Sequence, residues 1–526
     1  MKLRSRLVIV LSVLGLALVA APFASADGLV VKTDGGKVHG KLIGNGAVRA
    51  FQGLPYAAPP VGALRWKAPQ PAAAWKGEFD ATKYGHHCAQ NHVFDDMTFQ
   101  DAASPADLGS EDCLNLNVYT PAAKSKTKLP VMFWIHGGGY AGGGSSEPRH
   151  NGDFMPTKGV VLVTINYRLG VFGFLALPDL AAEQGGASGN YGLMDMVAAL
   201  NWVKKNIASF GGDPDNVTIF GESAGSFAVS GLMAAPSARG LFAKAIGESG
   251  GAVTSGALTL EPLATAGPKE AAWVSTELGT KSLDELRAVP TEKVLAAAGK
   301  RGMVGFAPVI DGKFLTETVL DTFLAGKQAH VPLMAGFNRD EGSFMAIGMT
   351  QEKWKGMAAQ RFGDKAETFM KLYPSSTDAE LARSAADFGG DSFIAYGTWK
   401  WMELHRKTGS SPVYRYKLDL AAPSSKFHPG EFAFHSDDIE YIFGTIDTRP
   451  GAVWRDEDRK LSDQMMSYWT NFARSGDPNG ANLPVWPKYG EGDPVLHLDN
   501  PITSRPDENR ARYEFWMEEE NAPAAK

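Results

Sequence analysis

Residues 216–235 read NVTIFGESAGSFAVSGLMAA: an apolar run, a G-x-S-x-G pattern, and then a segment of small residues. The pattern is typical of a sharp turn between a strand and a helix that exposes the hydroxyl of its serine. Glycine is needed at Gly221 and Gly225 because a Cβ would clash in so tight a turn. The stretch therefore predicts that Ser223 lies at the carboxyl end of a strand, where it can act as a nucleophile.

A second G-x-S-x-G pattern occurs in IGESGG at residues 246–251, around Ser249. It also follows an apolar run, but the next residues, GGAVTSGALTLEP at 250–262, are rich in glycine, threonine and serine and predict a loop instead of a helix. The context of Ser223 fits on both sides. We therefore expect Ser223 to be the nucleophile. Ser249 and Glu222 are expected to lie next to it and to support it without reacting.

Other apolar runs decide the fold class. These runs are LPVMFWIHGGG at 129–139, VVLVTINY at 160–167 and FAKAIGES at 242–249. Each run is continuously apolar, as expected for a parallel strand that is buried on both faces. Residues 192–214 have the apolar spacing of a helix. Alternating strands and helices predict an α/β fold with a large mixed, mostly parallel sheet and helices on both faces. Two mostly helical stretches, 256–327 and 350–407, predict cap insertions at one end of the sheet.

The first residues and the composition limit which classes of protein this chain can belong to. Residues 1–26 have a basic start, an apolar run and an A-x-A ending, which predict a signal peptide cleaved after Ala26; an uncleaved membrane anchor is the alternative. The net charge of −6 gives no basic surface for nucleic acid. No linker or repeat divides the remainder. We therefore expect one domain over 27–526, secreted or periplasmic, without membrane insertion after cleavage.

The chain has two cysteines, Cys88 and Cys113. In an exported protein an even, minimal count predicts one disulfide that closes a loop. His86, His87 and His92 lie nearby and make a metal site the alternative. However, the cysteines are far apart in sequence, and the histidines lack the spaced pairs of a zinc site. We expect no metal and no organic cofactor.

Three glycines, 137–139 in WIHGGGY, follow a buried apolar run. Glycine backbones can approach a substrate closely and direct N–H groups at an oxyanion. A phosphate loop is disfavoured because no lysine follows in the Walker spacing and no G-x-G-x-x-G opens a helix. This segment is the candidate for an oxyanion-binding loop.

A serine nucleophile needs a base and an orienting acid, which follow the serine along the chain in folds of this kind. One candidate for the base is His435 in EFAFHSDDIEYIFG, a polar segment between apolar runs. The other candidate is His428 in KFHPG. The residue pattern leaves the two histidines tied. VPLMAGFNRDEGSF offers Asp340 and Glu341 as the acid, and spacing does not choose between adjacent carboxylates.

The chain resembles the type-B carboxylesterases and cholinesterases, which have the α/β-hydrolase fold. The resemblance covers nearly all of the chain after residue 26 and is carried by blocks in the family's order, among them FQGLPYAAPPVGALRWKAPQP, GSEDCLNLNVYTP, VMFWIHGGGYAGG, INYRLGVFGFL, AGFNRDEGSF, HSDDIEYIFG and YWTNFARSGDPN. It implies serine hydrolysis of carboxylic esters, with a small-molecule ester as the substrate.

The resemblance also implies residue roles, and it resolves both ties. It makes Ser223 the nucleophile, Glu341 the acid and His435 the base. A histidine base must be neutral, so activity is expected to fall on acidification near the ordinary histidine pKa of about 6.5.

Further residues are assigned by the same resemblance. Ser249 is placed near the triad without attacking, and Cys88 and Cys113 form the family's loop-closing disulfide. The oxyanion is bound by the N–H groups of Gly138, Gly139 and Ala224. Two ion pairs of the family's structure are matched by Arg65 with Glu111, and by Arg168 with Asp195.

One departure bears on the substrate. The loop from Cys88 to Cys113 has no tryptophan, whereas cholinesterases place one there for the choline cation; its aromatic residues are Phe94 and Phe99. We therefore expect turnover of short to medium uncharged acyl or aryl esters, without preference for choline. Thioesters, lactones or carbamates are alternative substrates. A non-catalytic binding module is disfavoured because the chain keeps all three triad residues.

Overall fold

The computed structural model describes residues 28–91, 108–254, 260–302, 305–425 and 430–521. Several features predicted from the sequence fall outside these ranges: the signal peptide at 1–26, His92, Phe94, Phe99 and His428.

The strands within the described residues form one large sheet and one small sheet. In chain order they are β1 (Val30–Lys32), β2 (Lys37–His39), β3 (Lys41–Ile43), β4 (Val48–Pro55), β5 (Glu78–Asp80), β6 (Asn115–Pro121), β7 (Leu129–Ile135), β8 (Val161–Ile165), β9 (Gly212–Glu222), β10 (Lys244–Glu248), β11 (Leu333–Asn338), β12 (Val413–Leu418), β13 (Pro494–Leu498) and β14 (Thr503–Pro506). The described part of the large sheet has eleven strands in the order β14-β13-β12-β11-β10-β9-β7-β8-β6-β4-β3, and β1, β2 and β5 form the small sheet.

The large sheet is parallel at its centre and antiparallel at its edges. From β13 to β8 in the spatial order, each strand runs parallel to its neighbours. The pairs at the two edges, β13 with β14 and β8 through β6 and β4 to β3, are antiparallel. Every residue of β8, β10 and β11 is buried, as parallel strands covered on both faces require. The predicted mixed, mostly parallel sheet is confirmed.

The α-helices of the described residues connect and cover these strands. They are Gly170–Phe174, Pro178–Glu183, Tyr191–Asn206, Ala224–Ala234, Leu263–Trp273, Leu283–Ala288, Thr291–Gly299, Val319–Leu324, Gln351–Phe362, Ala366–Leu372, Asp378–Gly390, Tyr396–Thr408, Asp438–Phe443, Asp456–Ser475 and Arg510–Asn521. A π-helical segment, Asp391–Ala395, joins two of them into one long helix.

Two apolar clusters fill the two faces of the large sheet. Alternate residues of β7 point to opposite faces, so Phe133 and Trp134 belong to different clusters. Phe133 shares its cluster with Val203 of the helix Tyr191–Asn206, and Trp134 shares its own with Trp469 of the helix Asp456–Ser475. Helices therefore cover both faces, as the sequence predicts.

The predicted cap stretches are mostly helical where they are described. The second of them forms an apolar cluster of its own, in which Trp354 and Phe388 pack with Trp516 of the C-terminal helix. Phe337, near the carboxyl end of β11, belongs to the same cluster. This part of the cap therefore packs beside the edge of the sheet where the parallel strands end.

Two further expectations concern the chain as a whole. Cys88 and Cys113 are joined by a disulfide, as predicted. Because both sulfurs are in that bond, neither is available as a thiolate ligand for a metal with His86 or His87. None of the described helices is both long and apolar enough to cross a bilayer.

Candidate active site

The central strands end side by side at one edge of the sheet. Glu222 of β9 is opposite Glu248 of β10, and Glu248 is opposite Gly336 of β11. Ile135, the last residue of β7, is opposite Gly221 of β9. Ligands of parallel sheets bind beyond the carboxyl ends of the strands. The side chains that follow these strands are therefore the ones able to act together.

Ser223 occupies a strained turn between β9 and the helix Ala224–Ala234. Its φ of 54° and ψ of −121° lie in a region that residues with a Cβ rarely adopt. Its N–H donates to the carbonyl of Glu248 at 2.8 Å. A Cβ added to Gly225 would lie 2.0 Å from the carbonyl oxygen of Ile135, so this position has room only for glycine. The predicted sequence of strand, tight turn and helix is confirmed.

His435 lies between Ser223 and Glu341. Its Nε2 is 3.0 Å from Ser223 Oγ, and its Nδ1 is 2.5 Å from Glu341 Oε2. Glu341 follows β11 by three residues, and His435 lies in the loop that follows β12. A neutral ring with its proton on Nδ1 donates to the carboxylate and accepts from the hydroxyl. The three side chains have the geometry of a nucleophile, a base and an acid that orients the base.

The second oxygen of Glu341 is held by two other groups. Oε1 accepts the Ser249 hydroxyl at 2.6 Å and the backbone N–H of Asn338 at 2.9 Å. Ser249 is fully buried directly after β10, and its N–H donates to the carbonyl of Gly336 at 2.8 Å. The structure thus places the Ser249 hydroxyl on the carboxylate, where it restricts the orientation of Glu341.

Asp340, the adjacent candidate for the acid, has a different set of partners. Its Oδ1 accepts Arg383 at 2.6 Å, and its Oδ2 accepts Arg339 at 2.8 Å. Oδ2 also accepts the backbone N–H of Ala433 at 2.9 Å, two residues before His435. Within the described residues, Glu341 is the one of the two carboxylates that contacts His435.

Glu222 is a further acidic side chain beside His435. It is buried, and its Oε1 lies 3.3 Å from His435 Nε2. Burial raises the pKa of Glu222 to about 8, although the nearby His435 limits the rise. The ionisation of Glu222 is therefore linked to that of His435.

The carboxylates around His435 favour its protonated form. Burial lowers the pKa of His435, but the charges of Glu222 and Glu341 outweigh burial and raise the pKa to about 9. Asp438, in the helix after the base, acts in the same direction. We therefore expect the pKa of His435 to lie above the value of about 6.5 that residue type alone gives.

The glycine-rich loop after β7 lies against the Ser223 turn. A Cβ added to Gly137 would be 2.6 Å from Glu222 Oε2 and 3.2 Å from the Cβ of Ser223. Gly138 has a φ of +98°, and a Cβ there would be 2.2 Å from a carbonyl oxygen of the same loop. The close approach and the left-handed backbone both require glycine.

This loop and the adjacent helix offer free N–H groups. Those of Gly138 and Gly139 donate to no acceptor among the described residues. Ala224 is the first residue of the helix Ala224–Ala234, and N–H groups in the first turn of a helix lack partners within it. A partial positive charge accumulates at the same helix end. The three N–H groups are thus suited to bind a negatively charged oxygen.

A buried ion pair joins this loop to the loop that carries His435. Glu147 accepts the N–H of Gly144 at 2.9 Å through Oε1 and Arg149 Nε at 2.8 Å through Oε2. Arg149 Nη1 in turn donates to Ser436 Oγ at 3.3 Å, and Ser436 directly follows His435. This pair was not predicted from the sequence, because Glu-x-Arg in a polar loop has no distinctive pattern.

An aromatic wall, formed by Phe393 and Phe344, was also missed. Phe393 lies edge-on to the ring of His435 with 5.3 Å between centroids, and it comes from the π-helical segment Asp391–Ala395. Phe344, half exposed, lies edge-on to Phe393 at 6.5 Å. The wall extends from the base toward the surface. Single phenylalanines in a helical stretch predict only core packing, so the sequence carried no signal for it.

The two ion pairs expected from the resemblance are present. Arg65 Nε donates to Glu111 Oε2 at 2.7 Å, and Arg168 Nε donates to Asp195 Oδ2 at 2.8 Å. Both pairs are buried, with a second hydrogen bond between the same partners.

Comparisons with known proteins cover almost the whole chain. A family model described as the carboxylesterase family matches residues 27–516. Fumonisin B1 esterase of Sphingopyxis macrogoltabida is 34% identical over 499 residues, which cover 90% of this chain and 87% of that protein. Para-nitrobenzyl esterase of Bacillus subtilis (strain 168) is 36% identical over 493 residues, with coverage of 90% and 95%. A solved PNB esterase structure has a TM-score of 0.79 at 33% identity, covering 94% of this chain and 100% of that one.

Proposed function

Since this chain belongs to the carboxylesterase family and is a carboxylic ester hydrolase, we propose that it cleaves its substrates through Ser223, His435 and Glu341. One observation carries the proposal: a single imidazole contacts the Ser223 hydroxyl at 3.0 Å through Nε2 and the Glu341 carboxylate at 2.5 Å through Nδ1. A serine hydroxyl is a weak nucleophile until an adjacent base takes its proton.

In the first step, Ser223 Oγ attacks the carbonyl carbon of the ester while His435 Nε2 takes the hydroxyl proton. The carbonyl π electrons move onto oxygen, which gives a tetrahedral intermediate with a negatively charged oxygen. Glu341 keeps the ring in the correct tautomer and stabilises the imidazolium that forms.

The negatively charged oxygen is bound by the N–H groups of Gly138, Gly139 and Ala224. These donors are fixed before the reaction, so they stabilise the developing charge without rearrangement. Each such donor contributes about 3 kcal/mol to lowering the barrier.

The intermediate then collapses. The bond between the carbonyl carbon and the leaving oxygen breaks, and His435 gives its proton to the departing alcohol. Water attacks the remaining acyl group on Ser223 with His435 again as the base, which releases the carboxylic acid and restores the hydroxyl. The proposed cycle uses no metal and no organic cofactor.

Replacement of each serine by alanine, one at a time, tests the proposed nucleophile. Ser223→Ala should lower kcat by about four to six orders of magnitude, whereas Ser249→Ala should lose about tenfold because it removes one hydrogen bond to Glu341. An organophosphate should label one peptide, the one that contains Ser223, as located by mass spectrometry. A label on Ser249, or full activity of Ser223→Ala, would contradict the proposal.

The proposed substrates are short to medium uncharged acyl or aryl esters. The aromatic wall formed by Phe393 and Phe344 offers apolar surface from the base outward. The Bacillus subtilis relative is named for para-nitrobenzyl esters, which carry an uncharged aryl group. Apolar surface of this kind gains free energy in proportion to the apolar area that a substrate buries on it.

A series of p-nitrophenyl esters of increasing acyl length tests this substrate class. Each methylene that becomes buried should add about 0.8 kcal/mol, roughly fourfold in kcat/KM, until the chain outgrows the wall. We expect kcat/KM to rise from acetate to medium chains and then to fall. A flat profile, or a preference for charged esters, would contradict the assignment.

The proposed location is the periplasm or the medium. It is supported by the signal-like pattern at 1–26 and by the disulfide of Cys88 and Cys113, since disulfides persist in oxidising compartments. Protein recovered from these fractions should begin at Asp27, as determined by N-terminal sequencing. Recovery of the uncleaved chain from membranes would favour the anchor instead.

A further inference from the structure

Arg149 is a buried cation near the base for which the mechanism above has no use. Its side chain is 12% exposed, and that of its partner Glu147 is 1% exposed. The guanidinium donates to Glu147 at 2.8 Å and to Ser436 at 3.3 Å. The hydroxyl of Thr445 donates to the backbone carbonyl of Arg149 at 2.8 Å. Both the backbone and the charged head of Arg149 are therefore fixed.

Glu147 transmits the position of Arg149 to the glycine-rich loop. Its Oε1 accepts the N–H of Gly144 at 2.9 Å and would lie 3.1 Å from a Cβ on Gly143. The carboxylate is thus packed closely against the end of the loop that begins at Gly137. A shift of the ion pair would displace this loop, which carries two of the proposed oxyanion donors.

Ser436 transmits the position of Arg149 to the base. It directly follows His435 and has a φ of 67°, a left-handed conformation that is unfavourable for serine. Such a conformation persists only when its surroundings hold it. The hydrogen bond from the charged guanidinium to the Ser436 hydroxyl is one such restraint, and bonds to charged donors are stronger than neutral ones.

The charges around His435 are predominantly negative. Glu222 faces it from the end of β9, Glu341 from the loop after β11, and Asp438 from the helix Asp438–Phe443. All three carboxylates stabilise the imidazolium and so oppose formation of the neutral base. Arg149 faces Glu222, and its positive charge favours the ionised form of that carboxyl, which holds the pKa of Glu222 below the value that burial alone would give.

The other charged groups around Arg149 keep it ionised. Burial lowers the pKa of Arg149, but the carboxylates of Glu147, Glu440 and Glu222 outweigh burial and raise it. Glu440 also pairs with Arg449 at 2.9 Å. Burial lowers the pKa of His150, which lies 3.7 Å from Glu147, so this ring adds no charge at neutral pH.

We propose that Arg149 is a positioning residue for the base: it ties the turn after His435 to the glycine-rich loop and keeps a positive charge facing Glu222, which favours the ionised carboxylate beside the imidazole. The inference rests on the proposed role of His435. Loss of the guanidinium should therefore change two quantities, the pH at which the base becomes neutral and the rate reached once it is neutral.

Three variants separate the charge from the hydrogen bond. Arg149→Met removes both, Arg149→Lys keeps the charge without the planar fork, and Ser436→Gly removes the hydroxyl in a residue that accepts a positive φ. For each variant, kcat/KM and kcat for p-nitrophenyl acetate are measured against pH. Rates are divided by the number of active sites, counted by organophosphate labelling of Ser223.

Arg149→Met should move the acid limb of kcat/KM to lower pH by about 1 unit, because Glu222 without a facing cation holds its proton more readily and stabilises the imidazolium less. It should also lower the kcat plateau about tenfold, because the loop and the turn are no longer fixed. Arg149→Lys and Ser436→Gly should keep the limb near that of the unchanged enzyme and lower the plateau. As a matched control, Arg65→Met removes a buried arginine paired with Glu111 and should leave the limb unchanged.

Several results would overturn the proposal. One is an Arg149→Met variant whose acid limb of kcat/KM and whose kcat plateau are both unchanged. The others are a shift of the acid limb in Arg149→Lys, or in Arg65→Met, that equals the shift in Arg149→Met. If Arg149→Met does not fold, an unchanged plateau in both Arg149→Lys and Ser436→Gly would overturn it. Failure of the proposed function itself is distinguishable, because the organophosphate would then label a residue other than Ser223 in the unchanged enzyme.

Discussion

At the scale of single residues, we expect the pair formed by Glu222 and His435 to set the pH dependence of activity. The two groups lie 3.3 Å apart, and each affects the ionisation of the other, so they titrate as a unit. His435 must be neutral to accept the serine proton, so kcat/KM falls as pH drops through the pKa of the base. Since that pKa is raised to about 9, the fall should begin well above 6.5.

Glu222→Gln tests this pair. The substitution removes a negative charge beside Nε2, so the imidazolium loses stabilisation and its pKa decreases. The acid limb of kcat/KM should therefore move to lower pH by about 1 unit or more, in the same direction as expected for Arg149→Met. The measurement is kcat/KM against pH for an uncharged ester. A limb in the same place would mean that Glu222 carries no charge at the relevant pH.

The adjacent residues Asp340 and Glu341 should respond differently to the same chemical change. Glu341→Gln removes the carboxylate that holds Nδ1 of His435 and should lower kcat by about three to four orders of magnitude. Asp340→Asn keeps an acceptor for Ala433 and should lower kcat by about tenfold or less, while weakening the pairs with Arg339 and Arg383. Both rates are measured per titrated active site. Equal losses would contradict the assignment of the acid.

Residues of this site differ in how far the sequence could predict them. The Ser223 turn is local, so its pattern was sufficient. The choice between Asp340 and Glu341 depends on which way each side chain leaves a loop, and a loop has no periodicity to indicate it. Arg149 and Ser436 are separated by 287 positions, and no local pattern predicts such a contact.

Among the elements, the glycine-rich loop after β7 should be the least tolerant of an added methyl group. Gly138→Ala would bring a Cβ to 2.2 Å from a carbonyl oxygen and force alanine into a φ of +98°, so the loop must shift. Loss of one aligned oxyanion donor lowers kcat by about 10²- to 10³-fold. The measurement is kcat per labelled active site, with circular dichroism to confirm the fold.

Gly231 provides the matched control for that prediction. It lies within the helix that Ser223 caps, and a Cβ there would meet nothing within 4 Å. Gly231→Ala should leave kcat unchanged and stabilise the protein by about 0.5 to 1 kcal/mol, since glycine is unfavourable in a helix interior. A similar loss of kcat in both variants would show that the effect of Gly138→Ala is not specific to the loop.

The elements that could be predicted are those with strong apolar patterns. The buried runs at β7, β8, β9 and β10 were continuous, and the structure confirms them as parallel strands. The full extent of the small second sheet was not predicted. Its strand β5 has three residues and pairs with β2 from a distant part of the chain, which is too short for any alternation to be recognised.

At the scale of the whole molecule, the disulfide is a covalent restraint on the chain. The sequence predicts it, and the structure contains it. Cys88 and Cys113 are separated by 25 positions. Closing a loop of that length restricts the unfolded chain and stabilises the fold by about 3 to 4 kcal/mol in the chain-entropy treatment. Cys88→Ser combined with Cys113→Ser should lower the melting temperature without changing kcat at low temperature. An unchanged melting temperature would indicate that the loop is restrained without the disulfide.

The architecture of the whole molecule was the most predictable level. Alternating strands and helices, with parallel strands buried on both faces, leave few arrangements other than a sheet between two helical layers. The position of the cap was less predictable. Its helices pack through their own apolar cluster, which includes Trp354, Phe388 and Trp516, and amphipathic spacing indicates that a face is buried without indicating against what.

The π-helical segment Asp391–Ala395 has a consequence for how the family can diversify. A π-helical turn holds one residue more than an α-helical turn, and one residue corresponds to a rotation of about 100° about the helix axis. The residues before and after the segment can each keep their own packing while Phe393 is turned toward His435. Insertion or deletion of one residue in this segment would place a different side chain beside His435. The packing of the helix on either side of the segment would stay the same. Insertions and deletions, as well as substitutions, therefore offer a route to new ester preferences on this scaffold.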